Sequence, residues 1–232
     1  MAIVPTMIKK VPIRHEIKHQ VTKAEDLVLR LRLRKVLPFD SHGKDGRYLV
    51  TSLYFDDEYD RAYRAKTEGL NYKEKFRIRY YGDDLSFIKL EKKYKRGDLS
   101  AKDSVKLSKD EVEKIIEGDI DFLLKSKEEL KKEFYVRLKN KLAPVSAVRY
   151  EREAFVYPYG NVRITFDSDI SKIFEIKDFL DQDANYMQLE ENTILEIKYD
   201  RYLPDTIRAL IDIDTRRTSY SKYAISRIGG RS

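Results

Sequence analysis

The chain has 232 residues, of which 41% are hydrophobic and 38% charged, and its formal net charge is +7. The hydrophobic fraction excludes a disordered chain, and the length suits one packed core, so residues 1–232 are predicted to form a single domain. The sequence contains no cysteine, which excludes disulfide frameworks, thiolate metal sites and cysteine nucleophiles. The excess of basic residues favours an anionic partner.

The beginning of the chain carries no recognisable export signal. Residues 1–11 lack a charged start followed by a long apolar run, and no later run approaches the roughly 20 apolar residues of a membrane span. We therefore expect a cytoplasmic protein without a transmembrane segment.

The first half of the chain predicts two strands, two helices and a three-stranded antiparallel meander. A strand around residues 11–21 precedes Thr22 and Glu25, whose spacing is that of a capping box. The helix that follows carries Leu27, Leu31 and Val36 on one face and stops at Pro38. The other predicted elements are a strand over 48–55, a short helix after Asp56, and strands over 71–81, 86–95 and 99–107, with turns at 82–84 and 96–98.

The second half predicts further helices and strands. Ser108 and Glu111 form a second capping box before helices over 108–117 and 125–140, which Gly118 separates and Pro144 ends. Strands are predicted over 145–157, 162–170 and 193–200, and helices over 204–211 and 220–228. The loop over 177–192 gives no clear pattern.

Polar and charged residues recur two positions apart in strands from all parts of the chain. Residues i and i+2 share a face of a strand, so each of these strands presents charge on one side and apolar side chains on the other. The pairs and triplets are Glu16/Lys18, Lys73/Lys75, Arg77/Arg79, Glu91/Lys93, Tyr150/Arg152, Arg163/Thr165/Asp167 and Glu196/Lys198.

Two architectures explain this pattern. An open antiparallel sheet with one face in water is the commoner one. However, about eight strands carry the pattern, and strongly twisted sheets of that size tend to close. We therefore predict an α+β fold, a closed eight-stranded antiparallel β-barrel with helices packed on its outside and the charged face as its lumen.

A lumen rich in Lys and Arg requires negative charge, because buried unpaired cations are costly. Phosphate groups are suitable ligands, since Arg binds their oxygens as a planar fork and Lys as a point charge. A few carboxylates on the same face could hold Mg²⁺ or Mn²⁺ that bridges phosphates.

The ordered motifs of the chain resemble those of the VTC domain, the polyphosphate polymerase branch of the triphosphate tunnel metalloenzymes. The resemblance runs from about Ile13 to Tyr223, and although each motif is short, the ordered set is specific. The motifs are Arg14–Lys18, Phe76–Tyr81, Leu90–Lys93, Ser100–Lys102, Tyr150–Phe155, Val162–Asp167, Leu195–Tyr199 and Ser221–Tyr223.

The resemblance implies that ATP enters a β-tunnel and that its γ-phosphoryl group passes to a growing inorganic polyphosphate chain. By motif match, the residues implied in catalysis are Arg77, Arg79, Lys93, Arg152, Arg163 and Lys222. Those implied in substrate binding are Lys18, Lys102, Tyr150, Ser221 and Lys198, and Glu196 is the implied ligand of Mn²⁺ or Mg²⁺.

Two other activities remain open from the residues. A tunnel triphosphatase or polyphosphatase would use water as nucleophile and benefit from an orienting carboxylate such as Glu16, Glu91 or Glu151. A non-catalytic module would bind polyphosphate or nucleotide without turnover. Arg14, at the first position of a motif that is acidic in the related hydrolases and cyclases, favours the polymerase branch.

Nucleic acid is not an expected partner, since the tyrosines do not interleave with a basic groove.

Overall fold

The structure is a computed structural model that describes residues 14–41, 43, 45–96, 99–212 and 218–228. Within these residues it has nine strands and six α-helices. The strands are β1 (His15–Val21), β2 (Arg47–Asp56), β3 (Tyr72–Tyr81), β4 (Asp84–Arg96), β5 (Leu99–Leu107), β6 (Ala143–Tyr157), β7 (Val162–Ile173), β8 (Tyr186–Gln188) and β9 (Thr193–Tyr199). The helices are α1 (Lys23–Arg34), α2 (Arg61–Thr67), α3 (Lys109–Glu117), α4 (Glu129–Lys139), α5 (Asp205–Leu210) and α6 (Lys222–Ile228).

The strands form one large antiparallel sheet. Eight of them pair in the order β1-β9-β7-β6-β2-β3-β4-β5, and the short β8 pairs with β7 outside this path. The predicted α+β fold with a large antiparallel sheet is confirmed.

The strand register places the alternating charges on one side of the sheet. Lys18 lies opposite Glu196, and Arg77 lies between Tyr54 on β2 and Glu91 on β4. We call this side the charged face. The alternation predicted from the sequence therefore continues across the pairing of neighbouring strands.

The opposite side of the sheet is apolar and covered by helices. Phe76, Ile78 and Leu90 of β3 and β4 pack with Phe134 of α4 and Val112 of α3 in one buried cluster. A second cluster packs residues of α1 and α5 against β7 and β9. Burial of this apolar side against helices leaves the charged face free to line a cavity.

The sheet curls so that strands far apart in its order meet across the charged face. The carboxylate of Glu16 on β1 lies 3.6 Å from the ammonium of Lys93 on β4, six places along the strand order. Side chains from both ends of the sheet therefore act on one shared space.

The helix starts predicted from the sequence are confirmed. Thr22 and Ser108 each accept a hydrogen bond from the backbone N–H three residues later, and Glu25 and Glu111 bond back to the cap residues. Such reciprocal caps satisfy backbone donors that a helix start leaves unpaired. Gly118 ends α3 in the left-handed conformation, with φ of 88°.

The face of the first helix was predicted differently. Leu27, Leu31 and Val36 are exposed, whereas Leu29 and Leu33 are buried in the core against β7 and β9. The run of alternating Leu and Arg in α1 has apolar residues on more than one side of the helix, so the periodicity did not identify the buried side.

Three further boundaries differ from prediction. Pro144 lies inside β6 opposite Phe55, where the pairing with β2 shifts register, a place that tolerates a residue without an N–H. The helix expected over 125–140 is a 3₁₀ turn at Asp121–Lys125 followed by α4. The loop over 177–192, for which the sequence gives no clear pattern, contains most of a 3₁₀ turn at Ile176–Leu180 and strand β8. The predicted start of the first strand at 11–13 and the turn residues 97–98 lie outside the described residues.

None of the helices in the described ranges is both long and apolar enough to cross a membrane.

Glu153 joins the apolar side of β6 to the first helix. Its carboxylate is 0% exposed and accepts hydrogen bonds from Arg30, Arg34 and Arg47, including two bonds of 2.9 Å from Arg34. Burial raises the pKa of Glu153, but the hydrogen bonds from the arginines outweigh that effect and hold it below its ordinary value. This carboxylate therefore fixes α1 on the sheet as an ion.

Replacement of Glu153 by alanine is expected to destabilise the fold strongly. The almost fully buried Arg30 would keep Asp26 but lose Glu153, and Arg34 and Arg47 would lose their bonds to this carboxylate as well, at a combined cost of about 3 kcal/mol in the free energy of unfolding. Urea unfolding of E153A measures this cost, with E129A, whose glutamate is 86% exposed at the side chain, as the matched control. Equal stability of both variants would contradict this role for Glu153.

Candidate functional site

A cavity of about 660 Å³ opens onto the charged face. Its volume lies within the range of roughly 300–1,000 Å³ typical of small-molecule sites. Of the described residues that line it, nine are Lys or Arg and three are Asp or Glu. This surplus of positive charge makes the cavity a site for anions.

Glu91 holds two cations on the β3, β4 and β5 side of the cavity. Its carboxylate accepts a bond of 2.6 Å from Arg77 Nε and one of 3.0 Å from Lys102 Nζ. Burial raises the pKa of Glu91, but the charges of Arg77, Arg79 and Lys102 outweigh it and lower the pKa to about 2. Glu91 is thus an anion under ordinary conditions and orients two predicted phosphate ligands.

Asp167 does the same on the β6 and β7 side. It is fully buried, and it accepts a forked pair of bonds from Arg152 at 2.6 and 2.8 Å and one of 2.5 Å from Lys222 of α6. Burial raises the pKa of Asp167, yet the charges of Arg152 and Lys222 lower it to about 2. The carboxylate therefore anchors both cations and ties α6 to the sheet.

Glu16 and Glu196 share the lysines of β1 and β9. Glu196 lies 2.5 Å from Lys198 and 3.9 Å from Lys18, and Glu16 lies 2.9 Å from Lys18. Burial and the neighbouring Glu196 raise the pKa of Glu16, but three lysines, among them Lys93, outweigh both and lower it to about 2. Two carboxylates are thus kept ionised side by side by surrounding ammonium groups.

Two arginines near the edge of the cavity have partners of their own. Arg163 lies 2.5 Å from the carboxylate of Asp40 and donates to the hydroxyl of Tyr48 at 2.8 Å. Arg14 lies 3.1 Å from Asp200. Both guanidinium groups are held in place without a ligand.

Arg79 and Lys75 lack such a partner. Arg79 is buried and donates to the hydroxyls of Ser52 at 2.8 Å and Tyr150 at 3.3 Å, and no described carboxylate lies within 4.0 Å of it. Lys75 likewise has no described carboxylate in that range. Burial, reinforced by Lys93 and Arg77, holds the pKa of Lys75 well below its usual range. An anion in the cavity would relieve both groups.

The structure gathers most of the predicted site residues, in two layers. Seven of them line the cavity, namely Arg77, Arg79, Lys93, Lys102, Arg152, Arg163 and Lys198. Tyr150, Lys222, Lys18 and Glu196 contact these residues or their carboxylate partners. Ser221 instead accepts a bond of 3.4 Å from the Ala224 N–H at the start of α6. Its predicted donation to phosphate stays a prediction.

Sequence reasoning did not assign three residues of this face. Lys75 belongs to the recognised two-residue pattern but has no predicted site role, whereas Lys89 has the same spacing from Glu91, so the period was a signal that could have identified it. Asp167 was recognised as part of the pattern, but its pairing with Lys222 joins strand and helix across 55 residues and leaves no local signal.

The carboxylates suit a divalent cation that arrives with phosphate groups. Within the described residues no cluster of three or more His, Cys, Asp or Glu side chains forms a metal site. Glu196 and Glu16 offer two carboxylates in reach of the same lysine. Mg²⁺ is commonly bound by one or two carboxylates together with substrate phosphates and water, so these residues fit such an ion.

Comparisons with known proteins agree with this description. The profile of the VTC domain family matches residues 13–228. A solved protein from Hippeastrum, described as a candidate adenylyl cyclase with a dominant triphosphatase activity, is similar in structure with a TM-score of 0.58 and 14% identity, covering 92% of this chain and 95% of that chain. At this identity the likeness concerns the fold alone.

Two further solved structures are more distant. A protein from Pyrococcus horikoshii OT3 has a TM-score of 0.49 at 14% identity, covering 94% of this chain and 99% of that chain. A candidate adenylate cyclase from Bacillus halodurans has a TM-score of 0.48 at 13% identity, covering 86% and 85%. No curated protein matches the chain.

Acid is expected to weaken the anchor formed by Asp167. Its folded-state pKa of about 2 lies below its ordinary value of 3.8, so the stability it contributes is complete above pH 3.8 and is lost as the pH falls through about 2. The stability difference between the parent protein and D167N should therefore shrink by about 2 kcal/mol from neutral pH to about pH 2. Urea unfolding of both proteins across this range measures it, and a constant difference would contradict the depressed pKa.

Proposed function

The chain belongs to the VTC domain family, and from this premise we propose that it transfers the γ-phosphoryl group of ATP to a growing inorganic polyphosphate chain. The proposal includes closure of the sheet into a tunnel whose lumen is the charged face. The observation that carries it is the convergence of cations from β3, β4, β6, β7 and β9 on one cavity, where Arg79 has no carboxylate partner among the described residues.

In the proposed binding step, phosphate oxygens are bound by arginines that internal groups already hold in position. Arg77 and Arg152 are each oriented by one buried carboxylate, Glu91 and Asp167, and retain further N–H donors for a ligand. Arg79 supplies a guanidinium that none of the described carboxylates contacts within 4.0 Å. Phosphoryl transfer depends mainly on positioning and charge neutralisation, and these groups are positioned before substrate arrives.

The protonation states favour a phosphate nucleophile over water. A terminal phosphate of polyphosphate is already an anion and needs no base. Glu16 and Glu91, two of the carboxylates that could orient water in a hydrolase, have pKa values lowered to about 2 and are weak proton acceptors. The third, Glu151, lies on the opposite side of β6 and pairs with Arg47 at 3.7 Å. This pattern supports transfer between phosphates.

In this proposal Glu196 and Glu16 hold Mn²⁺ or Mg²⁺ when the nucleotide is bound. Such an ion neutralises charge that develops on the phosphate oxygens. Lys198 and Lys18 both pair with Glu196 in this structure. A metal ion bound to Glu196 would release these two lysines to contact phosphate.

The proposal is tested by incubating the protein with γ-labelled ATP and Mn²⁺, with and without a short polyphosphate primer, and separating chains from free phosphate. Labelled chains are expected from the parent protein. E196A and R77A should each reduce their formation by at least about a hundredfold, since each removes charge that acts on the transferred group. R208A, whose side chain is 70% exposed on α5, serves as the control and should retain activity.

Other products would identify other functions. Free phosphate without chains would indicate a triphosphatase or polyphosphatase. Unchanged ATP together with retained polyphosphate binding would indicate a non-catalytic module. Chain formation that survives in E196A and R77A would contradict the assigned roles.

Triphosphate binding is expected to take up protons. Burial lowers the pKa of Lys75, and the positive charge of Lys93 lowers it further. Burial also lowers the pKa of Lys93, and the attraction of Glu16 is too weak to reverse this effect. A bound polyanion raises both pKa values again, so protons bind with it, and affinity falls as the pH rises towards the ordinary lysine pKa of 10.5.

Titration calorimetry with inorganic tripolyphosphate at about pH 9, in two buffers of different ionisation enthalpy, measures this uptake. K75M should take up fewer protons than the parent protein. Identical heats in both buffers would show that no lysine titrates on binding.

A further inference from the structure

Phe87 breaks the pattern of the charged face. On β4 the residues of this face are otherwise charged, namely Lys89, Glu91, Lys93 and Lys95, while Ile88 and Leu90 of the same strand are buried on the apolar side. Phe87 is 44% exposed and lines the cavity. Single exposed aromatic residues are common on protein surfaces. Phe87 differs from these because it shares one face of a strand with the charged residues that are proposed to bind phosphate.

The neighbours of Phe87 suit a nucleoside. Lys89 Nζ lies 4.4 Å from the centre of the Phe87 ring, and no described carboxylate lies within 4.0 Å of this ammonium. Asp84 also lines the cavity, and its carboxylate accepts a bond of 2.8 Å from the Ser86 N–H. The Ser86 side chain, together with this backbone bond, lowers the pKa of Asp84, so that Asp84 remains an ionised acceptor.

We propose that Phe87 is the stacking surface for the base of a purine nucleoside triphosphate, with Lys89 as the ligand of the phosphate next to the ribose. The flat apolar ring offers a π-face to the base, and Asp84 offers an acceptor for an exocyclic amino group such as that of adenine. This inference rests on the proposed function, because it assumes that the triphosphate occupies the cavity beside Arg77.

The spacing along β4 agrees with this arrangement. Glu91, which orients Arg77, lies four positions after Phe87 on β4. At about 3.3 Å per residue, Phe87 and Glu91 are about 13 Å apart. An extended nucleoside triphosphate spans such a separation, with its base at Phe87 and its terminal phosphates near Arg77. Discrimination between a nucleotide and an inorganic polyphosphate would then lie in Phe87 and not in the arginines.

Binding of two ligands that share the triphosphate separates the role of Phe87 from general anion binding. The dissociation constants of adenosine 5′-(β,γ-imido)triphosphate and inorganic tripolyphosphate are measured in Mg²⁺ for the parent protein, F87A and F87Y. F87A is expected to bind the nucleotide about tenfold more weakly and tripolyphosphate as before, since one base–ring stack is lost. F87Y keeps the ring and should retain the parent affinity for both.

F174A is the matched control, because Phe174 is an aromatic that is 59% exposed and does not line this cavity. Its affinities for both ligands should equal those of the parent protein. Unchanged tripolyphosphate binding by F87A also shows that the variant is folded.

Three results would overturn the inference: equal loss of both ligands in F87A, no loss of either, or a parent protein that binds tripolyphosphate but not the nucleotide. Failure of the proposed function looks different. If no labelled polyphosphate forms from ATP but F87A still loses only the nucleotide, the base site stands and the polymerase assignment falls.

Discussion

The structure depends on the neutralisation of cations that one curved sheet concentrates on a single face. Strand alternation places Lys and Arg from strands throughout the sheet on the same side, where their repulsion in a partly buried space would be severe. Four ionised carboxylates, Glu16, Glu91, Asp167 and Glu196, offset that repulsion by each contacting more than one cation. These carboxylates neutralise cations that phosphate oxygens would neutralise in a complex.

This arrangement relates stability to binding. The carboxylates stabilise the clustered cations, and they also fix the guanidinium groups in advance, so that less ordering is needed when a ligand binds. Within the described residues, Arg79, which lines the cavity, has no carboxylate partner, and the same is true of Lys75, which lies beside the lining residues Lys93 and Arg77. The apolar side and its helices supply the stability that permits this imbalance.

Much of the fold could be predicted because its signals are local. The two capping boxes and the two-residue charge period depend on residues close in sequence, and they located α1, α3 and most strands. The signals failed where tertiary contacts decide. The buried side of α1 is set by Glu153 on a distant strand, and Pro144 is accommodated by a register shift opposite Phe55. The partnership of Asp167 with Lys222 likewise depends on the docking of α6.

The central claim is that the cations of the charged face bind a triphosphate. A crystal structure of the protein with adenosine 5′-(β,γ-imido)triphosphate and Mn²⁺, with anomalous scattering used to locate the metal, tests it most directly. The account predicts phosphate oxygens within hydrogen-bonding distance of Arg77, Arg79 and Arg152, and a Mn²⁺ peak at the carboxylate of Glu196. It also predicts that Lys198 leaves Glu196 for the ligand. Triphosphate bound away from the charged face, or these arginines still contacting only their internal carboxylates and hydroxyls, would contradict it.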